Sequence, residues 1–313
     1  MEYLVYVIVG ISIGVISAVF GVGGGFILTP ILSAMGMPIV YAIGTGLFFT
    51  VGVSLMAGRG HFLRGNCSLK TIGLITSFTV IGVTVAYKIV QWLTVKGSVE
   101  LYIGVVYIVM LLCTSLFVYQ KSSGTAPATN IPFINLRPYI YVEGDKKISL
   151  WNFVVVGLSV GFLQGFLGVG GGFILVPLLM GVLGMDPHSA VGNSLGILFI
   201  SSIYAAGIYA FDSRVDYLVA GFLMISAYCG SYYGLRVVNK CKGKTLTRYF
   251  SVLLFLSTGG IVAKQIGFTR FGLYYSIIVT AIFAVYVLYR FKDEIIEDHF
   301  CQDSAATKNP KNY

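Results

Sequence analysis

The sequence predicts an all-α polytopic membrane protein made of two inverted repeats, each with a glycine-rich broken or re-entrant hairpin, plus one extra C-terminal helix. Composition, a repeated glycine motif and the placement of positive charge lead to this prediction. Of the 313 residues, 57% are hydrophobic and 11% are charged, whereas a soluble domain carries about 25% charged residues. Several apolar runs reach the length of about 20 residues that a transmembrane helix needs.

An eight-residue motif, Gly-Val-Gly-Gly-Gly-Phe-Ile-Leu, occurs at residues 21–28 and again at residues 168–175. Each glycine costs about 1 kcal/mol relative to alanine in a helix interior, so the motif predicts a break within an apolar segment. In a membrane, the freed backbone groups must be buried in protein or line a wet cavity. Close helix packing by small residues is the alternative explanation. Two interrupted segments at matching places nevertheless favour a transporter binding site.

The two motifs belong to a longer internal duplication. The halves align at an offset of 147 residues, which becomes 148 after one inserted residue near Gly184. A polar stretch separates them, and one further apolar segment follows the second copy. We therefore divide the chain into repeat 1 (1–120), a cytoplasmic linker (121–149), repeat 2 (150–265), an extra C-terminal transmembrane helix (266–290) and a cytoplasmic tail (291–313).

The distribution of lysine and arginine predicts that the repeats are inverted. If the short segments Gly25–Met35 and Gly172–Leu183 return the chain to the side it came from, one side of the membrane collects 16 basic residues and the other five. Without these returns the counts are 11 and 10, which specify no orientation. The positive-inside rule favours the asymmetric arrangement. We expect an inner-membrane protein with linker and C-terminus in the cytoplasm, the N-terminus outside and both short segments in bent or re-entrant hairpins.

The residue types near the motifs favour an anionic ligand. All twelve acidic residues lie outside or at the ends of the apolar segments, whereas cation-coupled carriers usually keep carboxylates inside the membrane. Glycine-freed N–H groups at helix starts suit an oxyanion, because partial positive charge gathers at helix N-termini. Interhelical hydrogen bonding is the alternative role for the polar side chains. The candidate binding residues are Gly23, Gly24, Gly25, Gly170, Gly171, Gly172, Thr45, Asn193, Ser194, Ser17 and Gln164.

The sequence predicts no enzyme, cofactor, nucleic-acid partner or metal site. The five cysteines have neither Cys-x-x-Cys spacing nor a histidine partner, which a metal or redox site would need. No Walker motif is found. His61, close to Arg59, is expected in a solvated basic loop. The expected partners are a small anion and membrane lipid, and the sequence predicts no oligomeric state.

The paired segments resemble a known family. Each Gly-Val-Gly-Gly-Gly-Phe-Ile-Leu-x-Pro segment is followed by Ala-x-Gly-[Thr/Asn]-[Gly/Ser]-Leu, at residues 42–47 and 190–195. This pattern is similar to that of the TauE/SafE family of sulfite and organosulfonate exporters, over residues from about Val9 to Ala263. The resemblance implies an inner-membrane carrier of small sulfur-containing or related carboxylate anions. Family members often have Gly-Thr-Ser-Leu in the second segment, and this chain departs from it with Gly46 in the first copy and Asn193 in the second.

The leading hypothesis is a secondary transporter of sulfite-, sulfonate- or thiosulfate-type anions that binds its substrate between the two glycine motifs at mid-membrane. The alternatives are an anion channel and a carrier of non-sulfur carboxylates. A membrane enzyme would need a reactive constellation at membrane depth, and a scaffold protein would depend on the linker and tail.

Overall fold

The computed structural model describes residues 2–63, 65, 67–122, 139–142, 146–238 and 243–290. Helices account for nearly all of these residues. In chain order they are α1 Glu2–Phe20, α2 Gly25–Ala34, α3 Ile39–Leu63, α4 Leu69–Val95, α5 Val99–Ser122, α6 Leu150–Leu167, α7 Gly172–Val182, α8 Pro187–Phe211, α9 Tyr217–Val238, α10 Gly243–Gln265 and α11 Thr269–Arg290.

Within the described residues, 8 helices are long and apolar enough to cross a membrane. They are α1, α3, α4, α5, α6, α8, α9 and α11. Helix α10 is antiparallel to α5, since the Ser115 hydroxyl of α5 donates to the Ser251 carbonyl while Gln265 donates to the Glu100 carbonyl. The chain is therefore a polytopic membrane protein, as predicted. One element was not predicted: Tyr139–Val142 (β1) and Lys146–Ser149 (β2) form an antiparallel hairpin before α6.

Two pairs of parallel helices join the repeats through glycine contacts. Helix α6 lies along α4, where Gly161 contacts Thr79 and Gly165 contacts Val83. Helix α1 lies in the same way along α9. Small residues let transmembrane helices approach until their backbones touch. Each pair takes one helix from each repeat, so neither repeat folds into a separate bundle.

Helices α3 and α8 cross the centre in opposite directions. Gly58 of α3 lies beside Leu195 near the start of α8, whereas Gly44 lies beside Tyr209 near its end. We call the end of the bundle where α3 ends and where α4, α6 and α8 begin the linker end. The opposite end, where α8 ends and α9 begins, is the far end.

The two short helices complete re-entrant hairpins. Helix α2 begins at the centre of the bundle and runs back toward the far end, where Ser33 accepts a hydrogen bond from Lys264 of α10. Its 10 residues rise only about 15 Å, too little to span a bilayer. Helix α7 returns to the linker end in the same way, so α1–α2 and α6–α7 enter from opposite ends. The repeats are therefore inverted, as predicted from the charge distribution.

The glycine contacts give a direct test of helix packing. A Cβ added at Gly161 would lie 2.1 Å from the carbonyl oxygen of Thr79, and such overpacking costs about 1–3 kcal/mol. We expect Gly161→Ala to lower the melting temperature of the purified protein. A Cβ at Gly221 of α9 meets nothing within 4 Å, so Gly221→Ala should leave the melting temperature unchanged or raise it. Equal effects of the two substitutions would contradict the α4–α6 contact.

The orientation is tested by labelling two exposed positions at opposite ends. Leu69 at the linker end and Phe268 at the far end are 70% and 67% exposed. With the native cysteines replaced, Phe268→Cys should react with an impermeant maleimide in intact cells, and Leu69→Cys should react only after permeabilisation. The reverse pattern would show that the linker end faces outward.

Candidate functional site

The tips of the two re-entrant hairpins pack backbone to backbone at the centre of the protein. A Cβ built on Gly25 would lie 2.7 Å from the carbonyl oxygen of Gly168 and 3.0 Å from the nitrogen of Gly170. On the other side, a Cβ on Gly172 would lie 2.6 Å from the Cα of Val22. Neither place leaves room for a side chain. We call residues 21–26 and 168–173 the glycine loops and their contact the crossing.

The middle of α3 and α8 lies against the crossing. A Cβ on Gly23 would lie 2.9 Å from the Cγ2 of Thr50 and 3.1 Å from a methyl group of Leu198. A Cβ on Gly170 meets the same two side chains, at 2.7 and 3.6 Å. Thr50 and Leu198 occupy matching positions in the two repeats, at an offset of 148 residues. They therefore lie on the pseudo-two-fold axis, midway along the two central helices.

Left-handed backbone conformations shape both loops. Gly21 and Gly168, which follow α1 and α6, have φ of 71° and 68°. Gly24 and Gly171, which precede α2 and α7, have φ of 75° and 71°. Glycine adopts these angles without the steric cost that a Cβ imposes. The glycines thus end one helix and start the next, which confirms the helix starts expected at Gly25 and Gly172.

Apart from the N–H groups of Gly21 and Gly168, which close the last turns of α1 and α6, the backbone donors of the glycine loops have no partners among the described residues. The five consecutive N–H groups from Val22 to Phe26, and the five from Val169 to Phe173, make no hydrogen bond with any described residue. All ten residues are buried. In folded proteins more than about 90% of buried backbone N–H groups are paired. Successive free N–H groups of this kind form concave sites of positive potential that bind anions.

Several carbonyl groups of the same loops are paired, including that of Gly23, which accepts from the Thr50 hydroxyl at 3.3 Å. The Ser194 hydroxyl donates to the carbonyl oxygen of Gly21 at 2.7 Å, and the Thr29 hydroxyl donates to that of Gly168 at 3.3 Å. The carbonyl of Leu167, just before the second loop, accepts from Tyr107 at 3.0 Å. Side chains from other helices thus occupy these acceptors. Among the described residues, the unpaired backbone groups of the loops are ten N–H donors and the carbonyl oxygens of Val22, Val169 and Gly170, so donors outnumber acceptors.

Thr29 supplies the hydroxyl group that is missing at Gly46, where this chain has glycine and the family pattern has serine. In the second repeat, Ser194 supplies the hydroxyl for the opposite loop, but the matching residue of the first repeat is Gly46. Thr29 supplies the hydroxyl instead, and its matching residue in the second repeat is Val176. Its oxygen lies 2.8 Å from the position that a Cβ on Gly46 would take. In repeat 1 the hydroxyl thus comes from α2 rather than from α3, and both repeats donate a hydrogen bond to the first carbonyl of the opposite loop.

Ser17 and Gln164 place unpaired polar atoms beside the breaks. They occupy matching positions in the last turns of α1 and α6 and are fully buried. The Ser17 hydroxyl has no hydrogen-bond partner among the described residues, and neither has the Gln164 side-chain carbonyl oxygen. The Gln164 amide nitrogen donates to Ser202 at 2.8 Å, and its Cβ lies 3.8 Å from the position of a Cβ on Gly171. If the amide were turned over, it would accept from Ser202 and direct an N–H group to the free side.

Thr45 and Asn193 do not meet at the crossing. The Thr45 oxygen accepts the backbone N–H of Asp216, just before α9, at 3.0 Å. The Asn193 oxygen accepts the backbone N–H of Ser68, just before α4, at 2.8 Å, and its amide donates to Ser189. Each therefore holds the start of a helix from the other repeat, near opposite ends of the bundle. These contacts favour the alternative role of hydrogen bonding between helices.

A cavity lies between the linker-end halves of α3 and α8, and one of its lining residues, Ser54, lies beside the first glycine loop. We call it the vestibule; it has a volume of about 290 Å³. Arg59 lines it near the linker end, and Ser54 lines it one turn farther along α3 toward the centre. The Ser54 hydroxyl is 3.8 Å from the position of a Cβ on Gly23. The other lining residues are Leu55, Gly58, Phe62, Cys67, Ile72, Gly192, Leu195, Gly196 and Phe199.

The expectation for His61 was wrong. Helix α3 continues to Leu63, so His61 is helical and 1% exposed rather than part of a solvated loop. Arg59 contributes the positive charge of the vestibule instead. Sequence reasoning also missed Thr50, Leu198 and Ser54. Their one sequence signal is position, because Thr50 and Leu198 follow Thr45 and Asn193 by five residues in both repeats.

Comparisons with known proteins agree on one family. The family model for Sulfite exporter TauE/SafE matches residues 6–261. A probable membrane transporter protein of Methanocaldococcus jannaschii is 25% identical over 263 residues, covering 79% of this chain and 91% of that protein. The probable membrane transporter protein YunE of Bacillus subtilis is 25% identical over 268 residues, with 82% and 96% covered. A probable membrane transporter protein of Haemophilus influenzae is 26% identical over 263 residues, with 82% and 93% covered.

No solved structure matches the chain. The family match extends from α1 into α10 and therefore includes both glycine loops. Together with the membrane-spanning architecture, it shows that the chain is a transporter and not an enzyme. The chain belongs to the TauE/SafE sulfite exporter family of membrane transporters.

Proposed function

We propose that this transporter is a secondary carrier of a small sulfur-containing anion of the sulfite, sulfonate or thiosulfate type, bound at the crossing of the two glycine loops. The observation that carries the proposal is the set of buried, unpaired N–H groups from Val22 to Phe26 and from Val169 to Phe173. An oxyanion satisfies several such donors at once.

Charge supports the same ligand class. Helices α2 and α7 begin at the crossing, and each contributes a partial positive charge of about half a unit there. No carboxylate lies among the described residues of the two loops or of the vestibule lining. Arg59 lines the vestibule, whose lining residue Ser54 lies beside the first glycine loop. An anion would thus move from one positive potential to another.

The site consists of all six loop glycines proposed from the sequence, Gly23, Gly24, Gly25, Gly170, Gly171 and Gly172. Ser17 and Gln164 contribute side-chain groups. Ser194 takes part through the backbone, since its hydroxyl fixes the carbonyl of Gly21. Thr45 and Asn193 are left outside the ligand shell because their polar atoms hold the starts of α9 and α4. With the basic side of the chain inside, the vestibule opens to the cytoplasm.

The substrate class and mode of transport are tested in proteoliposomes. Flux of labelled sulfite, thiosulfate, sulfoacetate, taurine and sulfate is compared with that of acetate as a carboxylate control. A carrier should show trans-stimulation, in which substrate on the far side accelerates flux. Flux without trans-stimulation would indicate a channel, and preference for acetate would indicate a carboxylate carrier.

The site is tested by removing the unpaired hydroxyl of Ser17. A buried polar group without a partner costs about 1–3 kcal/mol, so Ser17→Ala should not lower the melting temperature without substrate. If the hydroxyl binds the anion, the substitution removes a hydrogen bond to a charged ligand, worth about 1.5–3 kcal/mol. Affinity should then fall about ten- to a hundredfold, measured as a smaller substrate-induced rise in melting temperature.

Thr45→Val is the matched control. It removes a buried hydroxyl that is already bonded to the backbone at Asp216. We expect a lower melting temperature without substrate and an unchanged substrate-induced rise. The opposite result, a normal response in Ser17→Ala and a lost response in Thr45→Val, would move the site away from the crossing.

A further inference from the structure

The two ends of the protein differ at the positions that match the vestibule lining. The repeat offset of 148 residues pairs each vestibule residue with a far-end residue. Gly196, which lines the vestibule, corresponds to Phe48 at the far end, and the Phe48 ring packs edge-on against Tyr217 at 5.4 Å. Gly58, which also lines the vestibule, corresponds to Ala206, which is 3% exposed. The positions that border the vestibule are therefore occupied by side chains at the far end, where a separate cavity of about 640 Å³ lies between α4 and the end of α8 and includes Tyr87, Gln91 and Asp212 in its lining.

The α8–α9 turn, residues 212–216, forms the cover at the far end. Its carbonyl oxygen at Arg214 lies 2.1 Å from the position of a Cβ on Gly44 of α3, so turn and helix touch through their backbones. The Asp216 N–H donates to Thr45 of α3. Ser213 has φ of 56°, the one positive φ of a non-glycine residue among the described residues. Its counterpart in the linker-end turn is Gly65, with φ of 74°.

A polar cluster fixes this turn to α4. The Tyr87 hydroxyl and the Gln91 amide of α4 both donate to the Asp212 carboxylate, the latter at 2.8 Å. The Arg214 guanidinium lies 3.8 Å from the same carboxylate. The hydrogen bond from Tyr87, and then that from Gln91, hold the pKa of Asp212 below its usual value. The group is therefore an ionised acceptor at neutral pH.

The positions that match Tyr87 and Asp212 at the linker end carry other residue types. By the same offset, Tyr87 corresponds to Leu235 and Asp212 to Arg64. Leu235 packs its methyl groups against Gly60 of α3, and a leucine offers no hydrogen bond. The two repeats thus share the turn but not the carboxylate and its donors. The far-end and linker-end turns therefore differ in their residues as well as in their contacts.

We propose that Asp212, held by Tyr87 and Gln91, is the lock of the far-end gate, and that its release accompanies opening of the crossing to that side. The structure is then the conformation that faces the linker end. Opening to the far end requires the 212–216 turn to leave α3 and α4, and these contacts must break first. The lock is independent of which anion is carried.

The test is cysteine accessibility in purified, detergent-solubilised protein without native cysteines. Ala206→Cys reports on the far-end passage, and Gly58→Cys reports on the vestibule at the matching place. Combining Ala206→Cys with Asp212→Ala should raise its rate of maleimide labelling by at least about tenfold, the equivalent of about 1.4 kcal/mol in the opening equilibrium. Tyr87→Phe, which keeps the ring packed on Tyr209, should act in the same direction. Labelling of Gly58→Cys should stay constant or fall.

The matched control is Asp186→Ala. Asp186 caps the other end of α8 by accepting the Ser189 N–H, so its loss weakens the same helix without touching the far-end turn. It should leave labelling of Ala206→Cys unchanged. Unchanged labelling with both Asp212→Ala and Tyr87→Phe would overturn the lock. So would an equal rise with Asp186→Ala, or a parallel rise at Gly58→Cys, because general loosening would then explain the result.

Discussion

The backbone contact between the two glycine loops is the constraint on which the rest of the structure depends. Gly25 lies against Gly168, and Gly172 lies against Val22, at distances that exclude any Cβ. This contact requires glycine, ends α1 and α6 in mid-protein and turns the chain back through α2 and α7. Because the two hairpins enter from opposite ends of the bundle, the starts of α2 and α7 meet at the crossing. The anion site proposed here follows from that geometry, since loops that cannot form helical hydrogen bonds leave their N–H groups free.

Contacts from the surrounding helices hold the two glycine loops in place and leave their N–H groups from residues 22–26 and 169–173 unpaired among the described residues. Hydroxyl groups from other helices pair with the loop carbonyls, and the change from a serine to Gly46 is balanced by Thr29. Thr45 and Asn193 hold each repeat to the helix starts of the other. The two repeats share this framework but differ at their ends. The vestibule lies at one end, and at the other the turn containing Asp212 packs against α3 and α4.

Much of this architecture could be predicted from the sequence. The glycine motif located both helix breaks, and the charge count gave the inverted repeats, because both depend on composition and period. Side-chain direction could not be derived in this way. Thr45 and Asn193 flank the motifs in sequence, yet helix geometry places them about five residues, or 7 Å along the axis, from the on-axis pair Thr50 and Leu198. His61 was misplaced because the apolar run ends at Gly58, whereas helix α3 continues to Leu63.

The most direct test of the account is the position of a bound anion. A selenium-containing oxyanion such as selenite gives an anomalous signal in crystals of the protein. The account predicts one strong peak at the crossing, with oxygen atoms within about 3.2 Å of backbone nitrogens from both glycine loops. Density only beside Arg59 in the vestibule, with the loop N–H groups still unpaired, would contradict it.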